Sequence, residues 1–596
     1  MVKITHQFNN KGKISKQVDT CGGFLLTNNL GGYLWLGQKP ESRYQGWFFT
    51  PAQLSGKKNI RIIESLAIEK AGEIEEIKND FWRVARKRGD KEERFFLPRF
   101  YNSLVYEISE PSNIDIFLDV KEAYDNFSQG GIYQTLPSKE RLIIKYSQPG
   151  FEAGGIFLAI RSDCSSYEKK EQWAQRNYDF DKKRNSPPFE RSVFLAGQMK
   201  NSQKIIFSVN TNKEKAIKEA DYIYDNLDGL KKKEEKEIKK LWVFLQEPAV
   251  RDAQTKMAFL AAKNSLKRLL VFDENKNIKG MFAGLPWFFQ FWQRDTALSL
   301  KALSLIDRSL SQKLFKDLLE GIIKGERDPS GADSWGWIIK QSEYLKIKKK
   351  HLLAAIELYI KSGQRETKAP ANPFFYHHPK STWMDTLSRM SRCVEIQALF
   401  ANACRIASRK SEFWRKKFFY WDEEDEIRRY IKYYFWNKRY LADGLAEDNN
   451  PDFTLRPNML LAMRACPKIL NKKQTKICLN NLLQGLWLDW GGIATLDKNN
   501  PNFHSKHTGE IPSSYHQGDS WFYLNNLLAI ILLGASKRKY KKYIEAVVKA
   551  SSDDILWKGI VGHHSELSSA GEQAAEGCLC QAWSSAFFLE LIRELL

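Results

Sequence analysis

Five segments of the chain combine aromatic or histidine side chains with a carboxylate or an arginine. They are GLPWFFQFWQRDT (284–296), STWMDT (381–386), DFTLRPN (452–458), SSYHQGDSW (513–521) and HHSELSSAG (563–571). Aromatic rings beside hydrogen-bonding groups suit a sugar, because a sugar ring has an apolar face and a rim of hydroxyl groups. The segments therefore indicate carbohydrate recognition, although most of the aromatic residues must belong to the core.

Two kinds of hydrophobic periodicity divide the chain that must position these segments. Up to about residue 212, short apolar or alternating runs lie between Gly, Asn and Pro turns, which predicts strands and a large antiparallel β-sandwich. From about Ala253 onward the period is 3.6 residues, which predicts about a dozen amphipathic helices. Helices separated by long loops favour a double ring, the (α/α)6 barrel, and periodicity alone leaves an irregular helical domain as the alternative.

These patterns predict three parts: an N-terminal β-sandwich over 1–212, a Lys- and Glu-rich linker helix over 213–245, and a helical domain over 246–596. The helical domain carries all five segments. They lie in predicted loops, where a rigid scaffold most often places functional side chains. We therefore expect the helical domain to be the catalytic one.

Composition and cysteine usage limit the cellular setting. Of 596 residues, 43% are hydrophobic and 28% charged, which is typical of a globular protein. The first residues lack an apolar run of signal-peptide length, and the longest apolar stretch, Leu527–Ala535, is far shorter than the roughly 20 residues of a membrane span. Eight scattered cysteines without a CxxC pair fit reduced thiols. We expect a soluble cytoplasmic protein without a membrane partner.

The formal net charge of +22 raises the question of a nucleic-acid partner. The densest basic runs, Lys231–Lys240 and Lys537–Lys542, mix with Glu or lie between predicted helices. Such runs are typical of solvated faces and linkers. We therefore expect a lysine-rich surface and no nucleic-acid partner.

Several further motifs lie in order along the chain. The N-terminal pair is GGFLLTNNLGGY (22–33) and SRYQGWFF (42–49), and the later motifs are GLPWFFQFWQRDTALSL (284–300), TWMD (382–385), VEIQAL (394–399), LRPN (455–458), YHQG (515–518) and GCLCQAWS (577–584). Together these motifs resemble one known family, the amylo-α-1,6-glucosidase part of glycogen debranching enzymes. They follow the family's order over roughly 560 residues, which makes chance a poor explanation.

The resemblance implies a β-sandwich followed by a catalytic (α/α)6 barrel, as in glucoamylase-like inverting hydrolases. It also implies that the TWMD aspartate, Asp385, is the general acid and that the glutamate before the QAWS helix, Glu566, is the general base. The implied substrate is an α-glucan or branched oligosaccharide with α-1,6 branch points. The chain lacks the repeated strand and helix alternation of a glucanotransferase half, so only the glucosidase activity is expected.

The chain departs from the family's pattern at three places. Gln293 replaces a glycine in the W-RDT motif, Gln45 replaces a histidine in RYHG, and the loop between Asp385 and Val394 is short. These departures bear on substrate fit more than on the chemistry.

Inverting hydrolysis explains why two carboxyl groups are needed. One protonates the leaving oxygen while the other activates water on the opposite face, with the groups roughly 6.5 to 9.5 Å apart. Trp383 and Met384 precede Asp385, and this apolar setting predicts a retained proton. Ser565 and Ser568 surround Glu566 with hydroxyl groups that favour its charged form.

Simpler roles compete with the catalytic ones. Asp385 has the alternative of a helix cap or turn residue. Glu566 has the alternative of a surface glutamate, with Glu572 and Glu576 as nearby rivals for the base.

The predicted substrate-binding residues have alternatives of the same kind. Arg294 and Asp295 suit sugar hydroxyl groups or a buried ion pair. The aromatic candidates for stacking on sugar are Trp287, Trp292 and Trp383, with a place in the core as the alternative. Glu395 suits a ligand or a buried arginine, and Arg456, His516 and Gln517 carry the same ambiguity.

Three histidine pairs raise the question of a metal: His377 with His378, His504 with His507, and His563 with His564. None has the spacing of a known ligand motif with a third ligand. We expect no metal and no cofactor.

Two other functions stay open at this stage. One keeps the barrel and changes the substrate to α-1,4 glucans, trehalose or another α-glucoside, because fold does not decide substrate. The other is a non-catalytic glucan-binding protein, which the presence of both carboxylates disfavours.

Overall fold

The structure is a computed structural model that describes residues 1–8, 12–51, 58–126, 130–138, 141–148, 155–242, 252–326, 331–363 and 374–596. By their contacts the residues form two compact units that alternate along the chain. Unit 1 consists of Met1–Gln290, Ser552–Ser565 and Cys578–Gln581. Unit 2 consists of Phe291–Ser551, Glu566–Gly577 and Ala582–Leu596.

Unit 1 is built on one large, mostly antiparallel sheet. Its fifteen strands in the described ranges are β1 Val2–Phe8, β2 Gly12–Val18, β3 Phe24–Thr27, β4 Tyr33–Leu36, β5 Gly46–Phe49, β6 Ile60–Ile68, β7 Glu76–Asn79, β8 Arg83–Arg88, β9 Lys91–Phe96, β10 Ser103–Glu122, β11 Ile132–Ser138, β12 Arg141–Ser147, β13 Ile156–Ser162, β14 Ser166–Asn177 and β15 Glu190–Asn210.

The long strands β10 and β15 form the centre of this sheet. The main path runs β11-β12-β13-β15-β10-β9-β8-β7-β1-β2, and β6, β5, β4 and β3 branch from β10. In β10 the side chains of Ile114, Ile116 and Leu118 are buried while Asp115 and Phe117 are half-buried. This period of two follows from the pleat, which sends successive side chains to opposite faces of a strand. The sheet therefore buries an apolar layer along its longest strands.

Four helices and three short strands complete the main part of unit 1. They are α1 Asp179–Lys183, α2 Lys213–Asp225, α3 Leu227–Trp242, α4 Ala253–Arg268, β16 Leu270–Phe272, β17 Ile278–Met281 and β18 Gly284–Leu285. Helix α2 packs on β13 and β15 and buries Ala216, Ala220 and Ile223. The segment predicted as a linker thus contains two helices, of which α2 covers the sheet.

Unit 2 is a ring of helices. Its helices are α5 Gln293–Ser304, α6 Arg308–Ile323, α7 Ser334–Lys340, α8 Lys349–Ser362, α9 Val394–Lys410, α10 Trp414–Tyr430, α11 Asn458–Ala465, α12 Lys472–Leu486, α13 Phe522–Ser536, α14 Lys541–Asp553 (whose last two residues fall in unit 1) and α15 Ala582–Leu595. Helices α5, α7, α9, α11, α13 and α15 each pack against the next, and α15 packs against α5.

The six helices of this closed ring alternate in sequence with α6, α8, α10, α12 and α14, as expected for an (α/α)6 barrel. The predicted fold class, a β-sandwich followed by an (α/α)6 barrel, is thereby confirmed. No helix in the described ranges combines the length and the apolar character needed to cross a bilayer.

Strands of two residues each pair with one another in the loops that connect the helices of the ring. They are β19 Arg392–Cys393, β20 Gly444–Leu445, β21 Pro451–Asp452, β22 Trp487–Leu488, β23 Gly492–Ile493, β24 Ser520–Trp521 and β25 Leu567–Ser568, and a further strand of unit 1, β26 Cys580–Gln581, pairs with β18. Strand β24 pairs with β25, and β19, β20 and β21 form a small sheet. These pairings bring together loops that are far apart in sequence.

Candidate active site

Glu566 lies directly before β25 and is 2% exposed. Its backbone carbonyl accepts a hydrogen bond from the Phe522 amide at the start of α13 (3.1 Å). The hydroxyl of Tyr515 donates to Glu566 Oε1 (2.8 Å). A hydroxyl donor favours the ionised form of a carboxylate. The predicted hydroxyl environment of Glu566 is therefore present, but Tyr515 supplies it instead of the neighbouring serines.

Gly577 leaves the space that the Glu566 carboxylate occupies. A Cβ atom at position 577 would lie 2.5 Å from Glu566 Oε2, which is closer than real Cβ atoms approach other atoms. The φ angle of Gly577 is +61°, a backbone conformation that side chains other than glycine disfavour. A side chain at position 577 is thus disfavoured both by the backbone conformation and by the Glu566 carboxylate.

Asp385 lies on an exposed turn after two buried residues, Trp383 and Met384. The apolar environment expected around its carboxyl group is therefore wrong for the free protein. The reason is that Trp383 and Met384 turn into the core while Asp385 remains at the surface of the loop. Loss of water around Asp385 would have to come from a bound substrate.

One loop connects the two candidate carboxylates. Tyr515 donates to Glu566, and the next residue, His516, shares a hydrogen bond with Thr386 (Nδ1 to Oγ1, 2.7 Å). Thr386 follows Asp385 directly. Two neighbouring residues of this loop thus contact Glu566 and the residue after Asp385, although the two carboxylates are 181 positions apart in the sequence.

His516 is fully buried and stacks on Trp521, with ring centroids 5.2 Å apart and an interplanar angle of 8°. Burial, and then the positive charges of Arg456 and Arg389, lower the pKa of His516 well below its ordinary value. The ring is therefore neutral. It connects the loop to Thr386 by a hydrogen bond and adds no positive charge to the site.

Arg456 and Gln517 hold the backbone of the same loop. Arg456 Nη1 donates to the carbonyl oxygens of His516 (2.7 Å) and Thr495 (3.3 Å). The Gln517 side chain donates to Ser513 O at 3.4 Å. Of the roles left open for these residues, the structure shows contacts that position the loop, and sugar binding by either stays a prediction.

Glu395 belongs to a buried ionic network at the start of α9. Arg389 donates to Glu395 Oε1 (2.5 Å) and to Asp443 Oδ2 (2.8 Å). Burial opposes ionisation of Asp443, and the Arg389 guanidinium outweighs this effect and lowers the pKa of Asp443. Glu395 thus has the arginine partner that was one of its two predicted roles.

The same network reaches Trp383. Asn458 donates to Asp443 Oδ1 (2.7 Å) and accepts from the Trp383 indole N–H (2.7 Å). Three of the sequence motifs, TWMD, VEIQ and LRPN, therefore meet through Arg389 and Asp443. Trp383 is 3% exposed and packs edge-on against His516, Trp521 and Tyr523, which is the packing of a core residue.

Arg294 and Asp295 lie in the first turn of α5 and are both buried. Arg294 makes a two-pronged pair with Asp333, with Nη2 2.7 Å from Oδ1 and Nε 2.9 Å from Oδ2. Such pairs fix the guanidinium plane. Arg294 thus forms a buried ion pair, the alternative to sugar binding, with Asp333, and sugar binding by Arg294 or Asp295 stays a prediction.

The other two predicted tryptophans lie in different units. Trp292 is half-buried and precedes α5 in unit 2. Trp287 belongs to unit 1, where the Arg184 guanidinium lies 3.7 Å from its ring centre. A role in stacking on sugar remains a prediction for both.

The rivals of Glu566 have different surroundings. Glu572 is exposed, and Glu576 is half-buried with its backbone paired to Leu567. Of the three, Glu566 is the buried one that accepts the tyrosine hydroxyl.

Sequence reasoning missed Tyr515, Arg389, Asp443 and Asp333. The only signal for Tyr515 was its place beside His516 and Gln517 in the YHQG motif. Arg389 and the two aspartates lie outside the recognised motifs. In the described ranges no three His, Cys, Asp or Glu residues are grouped as a metal ion would require.

Comparisons with known proteins agree with this architecture. The family described as "Amylo-alpha-1,6-glucosidase" matches residues 343–590, a segment that contains both candidate carboxylates. The solved structure of a bacterial glucoamylase complexed with acarbose is similar, with a TM-score of 0.61 and 12% sequence identity over 99% of this chain and 97% of that chain. At this identity the likeness concerns the fold. No curated protein matches the chain. The predicted resemblance is confirmed for the segment 343–590, which is similar to the amylo-alpha-1,6-glucosidase family, in a chain with the fold of a glucoamylase.

Proposed function

We propose that the protein is an inverting glycoside hydrolase that releases glucose from α-1,6 branch points of limit dextrins or branched maltooligosaccharides. Asp385 is the general acid and Glu566 the general base. The observation that carries the proposal is the loop in which Tyr515 bonds to Glu566 and His516 bonds to the residue after Asp385. It gives a physical link between two carboxylates 181 positions apart.

Glu566 is buried and Asp385 is exposed, and this difference fits one group acting as the base and the other as the acid. Burial of Glu566 opposes its ionisation, but its carboxylate accepts a hydrogen bond from the Tyr515 hydroxyl, and this bond supports an ionised group that removes a proton from water. Asp385 is exposed in the free protein, so a bound sugar would desolvate it beside the leaving oxygen. The proposal assigns proton donation to the group that the substrate covers and proton removal to the group that the protein encloses.

The family match of residues 343–590 supports the α-1,6 linkage. The acarbose bound to the similar glucoamylase supports an oligosaccharide as the class of ligand.

The first test is the anomer released from panose, followed by ¹H NMR during the first minutes. Inversion predicts β-glucose from the α-1,6 linkage. Release of α-glucose would contradict the water-separated pair and point to a covalent nucleophile.

The second test separates the roles of the two carboxyl groups. Asp385→Asn should lower hydrolysis of panose by about 10²- to 10⁴-fold because proton donation is lost. The same variant should retain most activity on α-glucosyl fluoride, since fluoride leaves with little help from an acid. Glu566→Gln should be inactive on both substrates. Equal losses of Asp385→Asn on both substrates would contradict the assignment of the acid.

A second candidate function is hydrolysis of α-1,4 linkages by the same pair, which the fold match to a glucoamylase supports. Maltotriose and panose compared at equal concentration discriminate the two. A higher kcat/KM for maltotriose would replace the α-1,6 assignment and leave the mechanism unchanged.

A further inference from the structure

A cavity of about 540 Å³ lies in unit 2, away from the two carboxylates. Its lining residues are Lys340, Ser342, Glu343, Arg405, Ile406, Arg409, Lys410, Cys466, Pro467 and Lys468. We call this cavity the basic pocket. It is within the range of small-ligand pockets, which is roughly 300 to 1,000 Å³.

The basic pocket lies where three neighbouring helices of the inner ring end. Lys340 is the last residue of α7, Arg409 and Lys410 are the last residues of α9, and Cys466 follows α11. Glu395, in the network of the candidate active site, is in the first turn of α9. Arg405 is ten residues further along, about 15 Å at the rise of an α-helix. The basic pocket is therefore at the opposite end of α9 from the candidate active site.

The lining carries five cationic side chains and one carboxylate, Glu343. Glu343 is shared: Lys340 Nζ lies 2.8 Å from one of its oxygens, and Arg405 bonds to the other. Burial lowers the pKa of Lys340, and the nearby Arg405 acts in the same direction while Glu343 opposes both. The single carboxylate of Glu343 thus pairs with two cations, buried Lys340 and half-buried Arg405. The exposed side chains of Arg409, Lys410 and Lys468 add three further positive charges to the lining.

The ends of the helices do not cancel this charge. Each helix C-terminus contributes at most about −0.5 elementary charge, so three of them supply about −1.5. With Glu343, the total is about −2.5 against five positive charges. Glu424, beside the pocket, is paired with Arg428 (3.7 Å) and adds no net charge. A surplus of about 2.5 positive charges remains, which is enough to neutralise a phosphate monoester with its charge of about −1.5 to −2.

We propose that the basic pocket binds a phosphate monoester of a sugar. The cations hold the phosphate group, and the apolar wall of Ile406 and Pro467 with the hydroxyl of Ser342 contacts the sugar. A volume of about 540 Å³ exceeds what inorganic phosphate alone fills, which favours the ester over the free ion. The site is separate from the carboxylate pair and does not depend on the reaction assigned to that pair.

The test is calorimetric titration of the full chain with glucose 6-phosphate, in excess glucose so that any site for neutral sugar is occupied. We expect one molecule bound per chain and a rise in the thermal midpoint. Inorganic phosphate should bind at least tenfold more weakly. Equal affinity for the two would overturn the sugar part of the proposal, and no heat of binding for either would overturn it entirely.

The matched variants locate the site. Arg409→Glu with Lys468→Glu reverses two exposed charges of the lining and should weaken binding about a hundredfold, because each of the two lost charge-assisted hydrogen bonds costs about a factor of ten. Lys537→Glu with Arg538→Glu makes the same change of net charge at exposed positions that do not line the pocket, and binding should be unchanged. The neutral pair Arg409→Gln with Lys468→Gln should fall between the two. Equal affinity in all three variants and in the wild type would place the ligand elsewhere.

Discussion

At the scale of single residues, Glu566 depends on groups from three parts of the sequence. Tyr515 donates a hydrogen bond to its carboxylate, Phe522 donates to its backbone carbonyl, and Gly577 leaves space for one of its oxygens. The Tyr515 and Gly577 contacts act on the carboxylate itself. Each can be changed without altering Glu566.

Tyr515→Phe removes the hydroxyl donor and keeps the ring. A hydrogen bond to a charged acceptor contributes about 1.5 to 3 kcal/mol, so its loss makes protonation of the base easier by about one to two pH units. A base must be ionised to act, and we therefore expect the acid limb of the kcat/KM profile to move about one to two units toward higher pH. Tyr540→Phe, which removes a hydroxyl bonded to Asn480, is the control. An acid limb that stays in place would exclude Glu566 as the group titrating there.

Gly577→Ala tests the space next to Glu566 Oε2. The added methyl group would lie 2.5 Å from Glu566 Oε2, so the carboxylate must move away from it, and we expect kcat to fall about tenfold or more. Gly325→Ala is the matched control, since Gly325 also has a positive φ (+76°) but has open space at its Cβ position. The two variants should lose similar stability. An equal loss of kcat in both would show that backbone strain, not displacement of Glu566, is the cause.

At the scale of elements, the inner helices were predictable and the small strands were not. Amphipathic runs such as CVEIQALFANACRIA gave α9 because a helix of several turns repeats its apolar face often enough to be recognised. Strands β24 and β25 have two residues each, too few for any periodicity. The pairing of β24 with β25 places the loop that contains Tyr515 next to Glu566. The two carboxylates could therefore be predicted from the family resemblance, but the residues that orient them could not.

The side of α2 facing the sheet gives a prediction in unit 1. Ser103 on β10 donates to Glu219 on α2 at 2.6 Å. Burial raises the pKa of Glu219 to about 7. The unfolded chain, with an ordinary glutamate, releases this proton at lower pH. Between the two values the folded protein holds a proton that the unfolded chain does not, and stability falls as the pH rises through this window.

Glu219→Gln cannot ionise and should escape this loss. We expect its free energy of unfolding relative to wild type to become more favourable by at most about 3 kcal/mol between pH 5 and pH 8. Urea unfolding followed by circular dichroism at both pH values measures the change. Glu214→Gln, in the exposed first turn of α2, should show no such pH dependence. A constant difference between Glu219→Gln and wild type would mean that Glu219 is ionised throughout this range.

At the scale of the whole molecule, the sheet of unit 1 depends on late parts of the sequence. His6 bonds to the carbonyl of Leu556 (2.9 Å), and His563 lies 3.2 Å from the carbonyl oxygen of Leu25. The Gly22 amide donates to Gly559 (3.0 Å). Residues 552–565 are therefore integrated in unit 1, although the last change of periodicity in the sequence lies some 300 residues earlier. Hydrophobic patterns indicate local secondary structure only. They could not show that residues 552–565 pack with the N-terminal sheet.

This return predicts how the chain behaves when it is divided after residue 245. The fragment 246–596 contains α4 and residues 552–565 without the sheet that buries them, so their apolar side chains face water and we expect the fragment to aggregate. Co-expressed fragments 1–245 and 246–596 should copurify on a tag placed on either one and should recover glucose release. The two fragments lack only the peptide bond between residues 245 and 246, and their association restores the contacts within unit 1. Soluble 246–596 on its own would mean that these segments fold without the sheet.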